Sequence, residues 1–444
     1  MQDYDIVIGL EVHAELKTKS KVFCSCKNQF GSLPNTNCCP VCVGLPGALP
    51  ILNKKAVELV IKAGLTIDSE INNLAVFERK NYFYPDLAKA YQISQLVRPI
   101  CIGGHIDLKS RRVRINRIHL EEDAGKLIHS TQAIGTLIDY NRGGVPLMEL
   151  VTEPDITSAD EAVEFLTKLR QRYIFADVAD CKMEQGGMRC DVNISVKPKG
   201  SNVLGERTEM KNLNSFKSVH RAITYEANRQ IEILKNGGKI TQETRKWDDN
   251  HGKSISMRKK ETSQDYRYFP DPDLLAVEIS HDEFEAIRKT LPMMPEQLKE
   301  RYIKEYGLSE YEANIITKDK AIVDYYNKAI SLYKNPKIVA NWLLTDILSK
   351  IKDEQDSQIK ISPEDLAKIL TLLEQSKISR TVAKDIFAKV WQDSANVDQL
   401  AKSLGGFVDD DSLQNIVKNI IENNQKAVDD YHTSETPEKV FRWF

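Results

Sequence analysis

The sequence predicts an α+β domain shaped as an open cradle, followed by an all-α helical domain and a shortened helical tail. Period-two alternation and glycine-rich turns dominate the chain as far as Leu291, whereas the segments beyond it follow the period of amphipathic helices. This change in pattern separates the two halves. We place the domain limits at 1–292, 293–405 and 406–444.

The composition is that of an ordinary soluble globular protein. The chain has 444 residues, of which 41% are hydrophobic and 28% charged, and its net charge of -2 excludes a uniformly basic nucleic-acid binder. No segment approaches the roughly 18 apolar residues that span a bilayer, and the N-terminus lacks a basic stretch followed by an apolar one. We expect a cytoplasmic protein that does not contact membranes.

The first predicted strand carries two polar groups on one face. In GLEVHAEL, Leu10 and Val12 alternate with Glu11 and His13. A strand places Glu11 and His13 about 7 Å apart on the same face, which suits ligands of one or two neighbouring cations. The alternative is a half-exposed edge strand whose polar side chains point into water.

A cysteine-rich insert follows at residues 24–42. Its pattern, Cys24-x-Cys26 and then Cys39-x-x-Cys42, is typical of a tetrahedral zinc site with four thiolates. Four thiolates leave no open coordination position, so the site is predicted to be structural. Cys38 is an alternative to Cys39, and the competing interpretation of the whole insert is a set of buried or incidental thiols.

The segment 77–99 interleaves basic and aromatic residues. Arg79, Lys80 and Lys89 stand among Tyr82 and Tyr91, a mixture that favours a phosphorylated ligand or a stacked base. The alternative is an ordinary loop packed over a core, which has the same composition.

Carboxylates crowd the stretch from 119 to 155. Glu121 and Glu122 end a predicted strand and should point to opposite faces, so that only one of them faces a given ion. Glu149 follows the turn residues Gly143 and Gly144, which suit a backbone bent towards a ligand. Such a cluster is costly unless cations neutralise it, and it therefore predicts a metal site. The alternative is a solvated acidic turn.

Later segments add polar groups but no familiar nucleotide loop. The strand that begins at Met188 presents Arg189 and Asp191 on one face, and Lys211 lies in the next charged segment. Residues 200–208 have the two glycines of a Walker A loop, but Glu206 stands where its lysine belongs. If ATP is used, a P-loop does not bind it.

Eight blocks in order resemble the B subunits of the tRNA-dependent amidotransferase GatCAB, the GatB/GatE family. They cover nearly all of residues 1–290. The blocks are GLEVHAEL (9–16), the cysteine insert followed by GLPGALP (44–50), RKNYFYPDLAKAYQISQ (79–95), HLEEDAGK (119–126), NRGGVPLMELVTEPD (141–155), MRCDVNISV (188–196), EMKNLNSF (209–216) and DYRYFPDPDL (265–274).

The resemblance implies a glutamine-hydrolysing ligase that acts in translation as a heterotrimer. Its partners would be an amidase, which is the A subunit, together with a small C subunit. ATP would phosphorylate the side-chain carboxylate of Glu-tRNA(Gln) or Asp-tRNA(Asn), and ammonia from the amidase would then form the amide. Phosphoryl transfer of this kind depends on positioning and on charge neutralisation by Mg²⁺ and basic groups.

The resemblance also assigns roles to residues. It implies that His13, Glu122 and Glu149 bind Mg²⁺, that Glu11, Glu121 and Asp191 line the same acidic cradle with room for a second ion, and that Cys24, Cys26, Cys39 and Cys42 bind structural Zn²⁺. On charge alone, we add Arg79, Lys80, Arg189 and Lys211 as candidate phosphate contacts.

The chain departs from the family pattern at its end. Family members usually continue well beyond Tyr431 into a small helical tail that touches the tRNA, whereas this sequence ends in HTSETPEKVFRWF. We expect Phe441, Trp443 and Phe444 to be exposed or unusually packed, and we do not carry the tRNA contact over to this tail.

A second class of function fits part of the pattern. A zinc-stabilised tRNA-binding scaffold without catalysis would explain the cysteines, the basic aromatic segment and the helical half. It leaves the carboxylates unexplained, because acidic groups near a binding face repel phosphate unless a cation intervenes.

Overall fold

The structure is a computed structural model that describes residues 3–129, 135–259, 266–354, 358–404, 410–425 and 428–429. The chain divides into two compact units, Met1–Pro295 and Glu296–Phe444. The first unit is rich in β-sheet and the second is helical, which confirms the predicted α+β region followed by an all-α region. The expectation for Phe441, Trp443 and Phe444 lies outside the described residues.

The described part of the first unit contains strands β1 to β17, four α-helices and a 3₁₀ turn at Met183–Gln185. The strands are β1 (Tyr4–Glu15), β2 (Glu70–Ile71), β3 (Leu74–Ala75), β4 (Glu78–Asn81), β5 (Tyr91–Ser94), β6 (Cys101–Ile102), β7 (His105–Asp107), β8 (Arg112–Glu122), β9 (Lys126–His129), β10 (Thr136–Asp139), β11 (Pro146–Thr152), β12 (Met188–Pro198), β13 (Thr208–Leu213), β14 (Glu243–Asp248), β15 (Lys253–Lys259), β16 (Phe269–Pro270) and β17 (Val277–Glu278). The helices are α1 (Lys54–Leu65), α2 (Ala159–Phe175), α3 (Phe216–Lys235) and α4 (His281–Arg288).

One large sheet organises this unit. Its strand order is β15-β14-β13-β12-β1-β11-β8-β6-β2, and β7 pairs with β8 beside this path. Neighbouring strands are antiparallel except for the parallel pair β13 and β14. Three smaller sheets complete the unit: β9 with β10, β16-β4-β5, and β17 with β3. The central position of β1 brings residues that are distant in sequence to one surface.

The pattern of β1 explains how the sheet has a buried face and an open face. Ile8, Leu10 and Val12 are fully buried, as their alternation predicted, while Glu11 and His13 point to the opposite side and line a cavity. The apolar residues of α3, such as Val219 and Ile223, are buried where the helix packs on β12. Burial of these side chains is the main stabilising contribution to the unit.

The second unit consists of helices α5 to α13 in the described residues, with a π-helical turn at Leu343–Ile347 between α8 and α9. Aromatic side chains, including Tyr302, Tyr326, Trp342 and Trp391, fill its core. The helices are α5 (Pro295–Tyr306), α6 (Glu310–Ile316), α7 (Lys320–Leu332), α8 (Pro336–Trp342), α9 (Leu348–Glu354), α10 (Pro363–Glu374), α11 (Arg380–Asp393), α12 (Val397–Ser403) and α13 (Asp410–Asn423). Among the described residues, no helix is long and apolar enough to cross a membrane.

Candidate functional site

A cavity of about 600 Å³ lies on the open face of the large sheet. Strands β1, β8, β11, β12 and β13 form its floor, and residues from β4, β5, β14 and the segment before β16 complete the lining. Its charged and imidazole side chains are Glu11, His13, Lys80, Arg117, His119, Glu149, Asp191, Arg207, Glu209 and Lys211. Such a concave, highly polar cavity is suited to a charged ligand.

A histidine and two glutamates form what we call the carboxylate cluster: His13, Glu121 and Glu149. Their ligand atoms all lie within 4.8 Å of one another. The His13 Nε2 atom is 3.2 Å from Glu149 Oε2 and 3.6 Å from Glu121 Oε1. Strand register produces this meeting, because His13 on β1 stands opposite Glu149 on β11.

His119 is a member of the site that the sequence analysis did not identify. It stands opposite Glu149 in the register of β11 and β8, and its Nε2 lies 3.5 Å from Glu149 Oε2 and 3.4 Å from Glu121 Oε2. The Nδ1 atom is buried and has no hydrogen-bond partner among the described residues. The period of two between His119 and Glu121 is the sequence signal that could have found it.

The electrostatics of the carboxylate cluster keep its glutamates ionised. Burial alone raises the pKa of Glu149, but the charge of His119 and the hydrogen bond with His13 outweigh it and hold that pKa well below its usual value. Burial also raises the pKa of Glu121. The hydrogen bond with His119 outweighs this effect, so that the pKa of Glu121 is lowered as well. Burial lowers the pKa of His13, yet Glu149 and Glu121 raise it to about 9.

These groups fit a divalent cation. Two ionised carboxylates and one imidazole offer three donors at contact distance, and a cation there would take the place of the proton that His13 otherwise holds. Oxygen donors suit Mg²⁺, while the imidazole is an unusual addition for that ion.

A second acidic group occupies the other side of the cavity. Oxygens of Glu11, Asp191 and Glu209 also lie within 4.8 Å of one another, and Lys211 sits among them. The Lys211 ammonium is 2.5 Å from Asp191 and 3.4 Å from Glu209. Burial lowers the pKa of Lys211, but the negative charges of Asp191 and Glu209 outweigh burial and raise that pKa above its usual value. The sequence analysis did not identify Glu209, although it shares a strand face with Lys211.

Lys80 contributes positive charge to the same cavity. Its ammonium lies 4.9 Å from the centre of the Tyr266 ring and 5.8 Å from that of Tyr82, both within the range of cation–π contacts. Burial lowers the pKa of Lys80, but the nearby Glu121, Tyr268 and Glu149 outweigh it and raise that pKa overall. The lysine therefore stays charged where it faces the carboxylate cluster.

Glu122 lies apart from the carboxylate cluster, because the structure puts Glu121 rather than Glu122 beside His13 and Glu149. Consecutive residues on β8 point to opposite faces, and Glu122 turns towards β5. There it accepts a hydrogen bond from the Ile93 amide and pairs with the Lys89 ammonium.

Two of the candidate phosphate contacts lie away from the cavity wall. The Arg79 guanidinium pairs with Asp271 at 2.8 Å and with Asp273 at 2.7 Å, so acidic partners already satisfy it. Arg189 pairs with Asp123 at 2.5 Å. Of the four basic candidates, the structure brings Lys80 and Lys211 to the cavity.

The cysteine insert forms a separate group. The sulfur atoms of Cys24, Cys26, Cys39 and Cys42 lie within 4.8 Å of one another, and this set of four thiols fits a tetrahedral zinc ion. The hydrogen bond from Cys24, helped by the Cys39 amide and Lys21, lowers the pKa of Cys42, which favours its thiolate form. Cys38 stands outside the four and approaches the side chain of Asn141 instead.

The fold and the site together define a class of protein: an α+β domain with an acidic, cation-suited cavity and a separate four-cysteine site. The family model described as "GatB/GatE catalytic domain" matches residues 6–285, and the model described as "GatB domain" matches residues 324–444. The chain belongs to the GatB/GatE family, which confirms the resemblance seen in the sequence.

Curated relatives are similar along almost the whole chain. A protein of Caldicellulosiruptor bescii, named as the B subunit of aspartyl/glutamyl-tRNA(Asn/Gln) amidotransferase, is 51% identical over 440 residues, which are 97% of this chain and 92% of that protein. Proteins of the same name from Caldanaerobacter subterraneus and Persephonella marina are 48% and 46% identical. These alignments cover 96% and 97% of this chain, respectively, and 92% of each relative.

Proposed function

We propose that this chain is the B subunit of a cytoplasmic tRNA-dependent amidotransferase and that it activates the side-chain carboxylate of Glu-tRNA(Gln) or Asp-tRNA(Asn). It would assemble with the amidase, which is the A subunit, together with a small C subunit. Membership of the GatB/GatE family and the names of the relatives support this proposal. The observation that carries the chemistry is the carboxylate cluster, whose His13 and Glu149 line one cavity with Lys80 and Lys211.

The reaction would proceed in two steps. One oxygen of the substrate carboxylate attacks the γ-phosphorus of ATP, and ADP leaves. Ammonia, released from glutamine by the amidase, then attacks the carbonyl carbon, and phosphate leaves with the original carboxylate oxygen. The first step is needed because a free carboxylate is a poor electrophile at neutral pH.

The residues of the cavity supply positioning and charge. His13, Glu121 and Glu149 would hold Mg²⁺, which neutralises phosphate charge when bound. Lys80 and Lys211 would contact phosphate oxygens, and Asp191 and Glu209 would keep Lys211 in place between them. Glu11 and Asp191 would be the candidate ligands of a second cation.

Zinc would be structural in this scheme. Cys24, Cys26, Cys39 and Cys42 would bind it with four thiolates and leave no position open for chemistry. We assign the chemistry to the domain 1–292 and give no catalytic part to 293–405 or 406–444.

A zinc-stabilised, non-catalytic tRNA-binding scaffold remains the second candidate. The cysteine group favours it as much as it favours an enzyme. The carboxylates favour the enzyme over the scaffold. Buried glutamates such as Glu121 and Glu149 repel phosphate unless a cation is bound between them and the phosphate, and a simple tRNA-binding scaffold does not need such a cation.

The test uses the complex purified with its two partner proteins. Glu149→Gln is compared with wild type and with Glu58→Gln, a change at a partly exposed residue of α1 away from this cavity. We expect Glu149→Gln to lower Mg²⁺-dependent ATP turnover and amide formation by about a hundredfold or more, while glutamine hydrolysis persists. Equal ATP turnover in all three proteins would reject the proposal and favour the scaffold.

A further inference from the structure

Lys21 is a fully buried lysine beside the cysteine insert. Its side chain is 0% exposed, and its ammonium donates hydrogen bonds to the Cys42 sulfur at 3.6 Å and to the Tyr140 carbonyl at 3.1 Å. Lysines are almost never buried this completely without a charge partner, because desolvating an ammonium is costly. The site must therefore supply negative charge.

A four-thiolate zinc site supplies it. Four thiolates around Zn²⁺ leave a net charge of about -2, and an ammonium at hydrogen-bond distance from one sulfur offsets part of that charge. Lys21 and the zinc site thus each reduce the cost of burying the other. Hydrogen bonds to metal-bound sulfur also tune how tightly the metal is held.

Hydrogen bonds connect Lys21 and its neighbour Val22 to the end of strand β8. Tyr140 opens a loop at residues 140–145, which leads into β11. The Val22 amide donates to the Gly144 carbonyl at 2.9 Å, and the Gly144 amide donates to the Asp123 carbonyl at 2.8 Å. Asp123 directly follows β8, two residues beyond Glu121.

The 140–145 loop packs against the insert. A Cβ atom added at Gly144, whose φ is +83°, would lie 3.5 Å from both Cys42 Cβ and Lys21 Cδ. The Asn35 side chain accepts from the Tyr140 amide at 2.8 Å, and Asn141 accepts from the Asn37 amide at the same distance. The loop is therefore held by the insert on several sides.

We propose that Lys21 is a positioning residue that couples the zinc site to the carboxylate cluster through the 140–145 loop. The inference rests on the zinc assignment made above, and it does not depend on the phosphoryl-transfer chemistry. With zinc bound and Lys21 charged, the loop fixes the end of β8 that carries Glu121 and the start of β11 that leads to Glu149.

The main test compares Lys21→Met, which keeps the length of the side chain and removes its charge, with Lys55→Met on the exposed face of α1. Both are made in the full chain within its complex. Zinc loss to a chelator is followed with a zinc-sensitive dye, and we expect loss from Lys21→Met to be about ten- to a hundredfold faster. Hydrogen exchange should also rise in residues 119–123 and 139–149, while Lys55→Met behaves as wild type.

A cobalt-substituted sample separates a direct effect on sulfur from general loosening. Removing the ammonium from Cys42 should shift the thiolate-to-cobalt charge-transfer band to lower energy in Lys21→Met. An unchanged band together with unchanged exchange at 119–123 and 139–149 would overturn the inference.

Wild type treated with a chelator provides a test that needs no variant, in case Lys21→Met fails to fold. We expect zinc removal to increase exchange in 119–123 and 139–149 as well as in the insert. An increase confined to residues 20–45 would overturn the coupling. Wild type purified without zinc would also overturn it, while ATP turnover of the same sample would judge the proposed function separately.

Discussion

The carboxylate cluster depends on individual charges that balance one another in a buried place. Glu121 is 3% exposed, and an isolated carboxylate in such surroundings would take up a proton. His13 and His119 prevent this, since both rings lie within 3.6 Å of a glutamate oxygen. The same balance prepares the site for a cation, which can replace the proton that His13 holds.

Cys38 and Cys39 are adjacent in sequence, and they provide a matched pair of variants for the zinc site. Cys39→Ser should lower the zinc content of the purified protein to well below one per chain, because one of four thiolates is lost. Cys38→Ser should retain full zinc, since its sulfur lies outside the group. Elemental analysis measures both. Loss of zinc in Cys38→Ser and retention in Cys39→Ser would exchange the two roles.

For single residues, the sequence predicted the direction of side chains along a strand but not their partners on other strands. The alternation of β8 indicated that Glu121 and Glu122 face opposite sides, and they do. Which side holds His13 depends on the pairing of β8 with β11 and β1, and these pairings join residues far apart in sequence. Local sequence patterns do not contain that register. The family resemblance therefore implied Glu122 as a cation ligand, whereas the structure places Glu121 beside His13 and Glu149.

At the scale of elements, helix α3 is fixed to the sheet by a buried ion pair. Glu226 is 0% exposed and lies 2.6 Å from Arg229 and 3.7 Å from Arg245 of β14. Glu226→Ala should reduce the free energy of unfolding by about 1–3 kcal/mol, because it removes a fully buried acceptor and leaves Arg229 and Arg245 with Glu243 as their remaining acidic partner. Glu232→Ala, on the exposed side of α3, should change it little. Urea unfolding measures both, and similar losses would contradict this view of α3.

Helix α6 gives a prediction for pH. Ser309 and Glu312 form a capping box, and the Lys337 ammonium lies 2.9 Å from Glu312. The hydrogen bond from Lys337, with those from Ser309, lowers the pKa of Glu312 to about 2. A lowered carboxylate pKa adds stability that is complete above the unfolded value near 4.5 and is lost as pH falls through about 2.

Glu312→Gln should therefore reduce the free energy of unfolding at pH 7 by about 1 kcal/mol, a modest value because solvent partly screens the pair. The difference from wild type should shrink by more than half at pH 3, which lies inside this window. Urea unfolding followed by circular dichroism at both pH values gives the comparison. A difference that is constant with pH would show that charge at Glu312 is unimportant.

The elements themselves were partly predictable. Long strands such as β1 and β12 follow their alternation closely, since one face is buried and the other lines the cavity. The basic aromatic segment was not resolved into elements by its composition, yet it forms β4 and β5 of a small sheet. There Arg79 pairs with Asp271, nearly two hundred residues further along the chain, and no local pattern indicates such a partner.

At the scale of the whole molecule, the candidate site exists only because the large sheet brings distant segments together. Glu11, Glu149 and Lys211 come from β1, β11 and β13, and they meet around one cavity within the first unit. The division into a β-rich unit and a helical unit was readable from hydrophobic periods. The strand order was not, because pairings such as parallel β13 and β14 depend on packing across the whole sheet.

In the proposed reaction, the substrate carboxylate is phosphorylated before it is amidated. The most direct measurement labels both side-chain carboxylate oxygens of Glu-tRNA(Gln) with ¹⁸O and follows amidation by the complete complex with ATP and glutamine. Our account predicts that inorganic phosphate acquires one labelled oxygen for each amide formed. Label that appears in AMP would indicate activation by nucleotidyl transfer, and unlabelled phosphate would mean that the carboxylate never attacked ATP; either result contradicts the account.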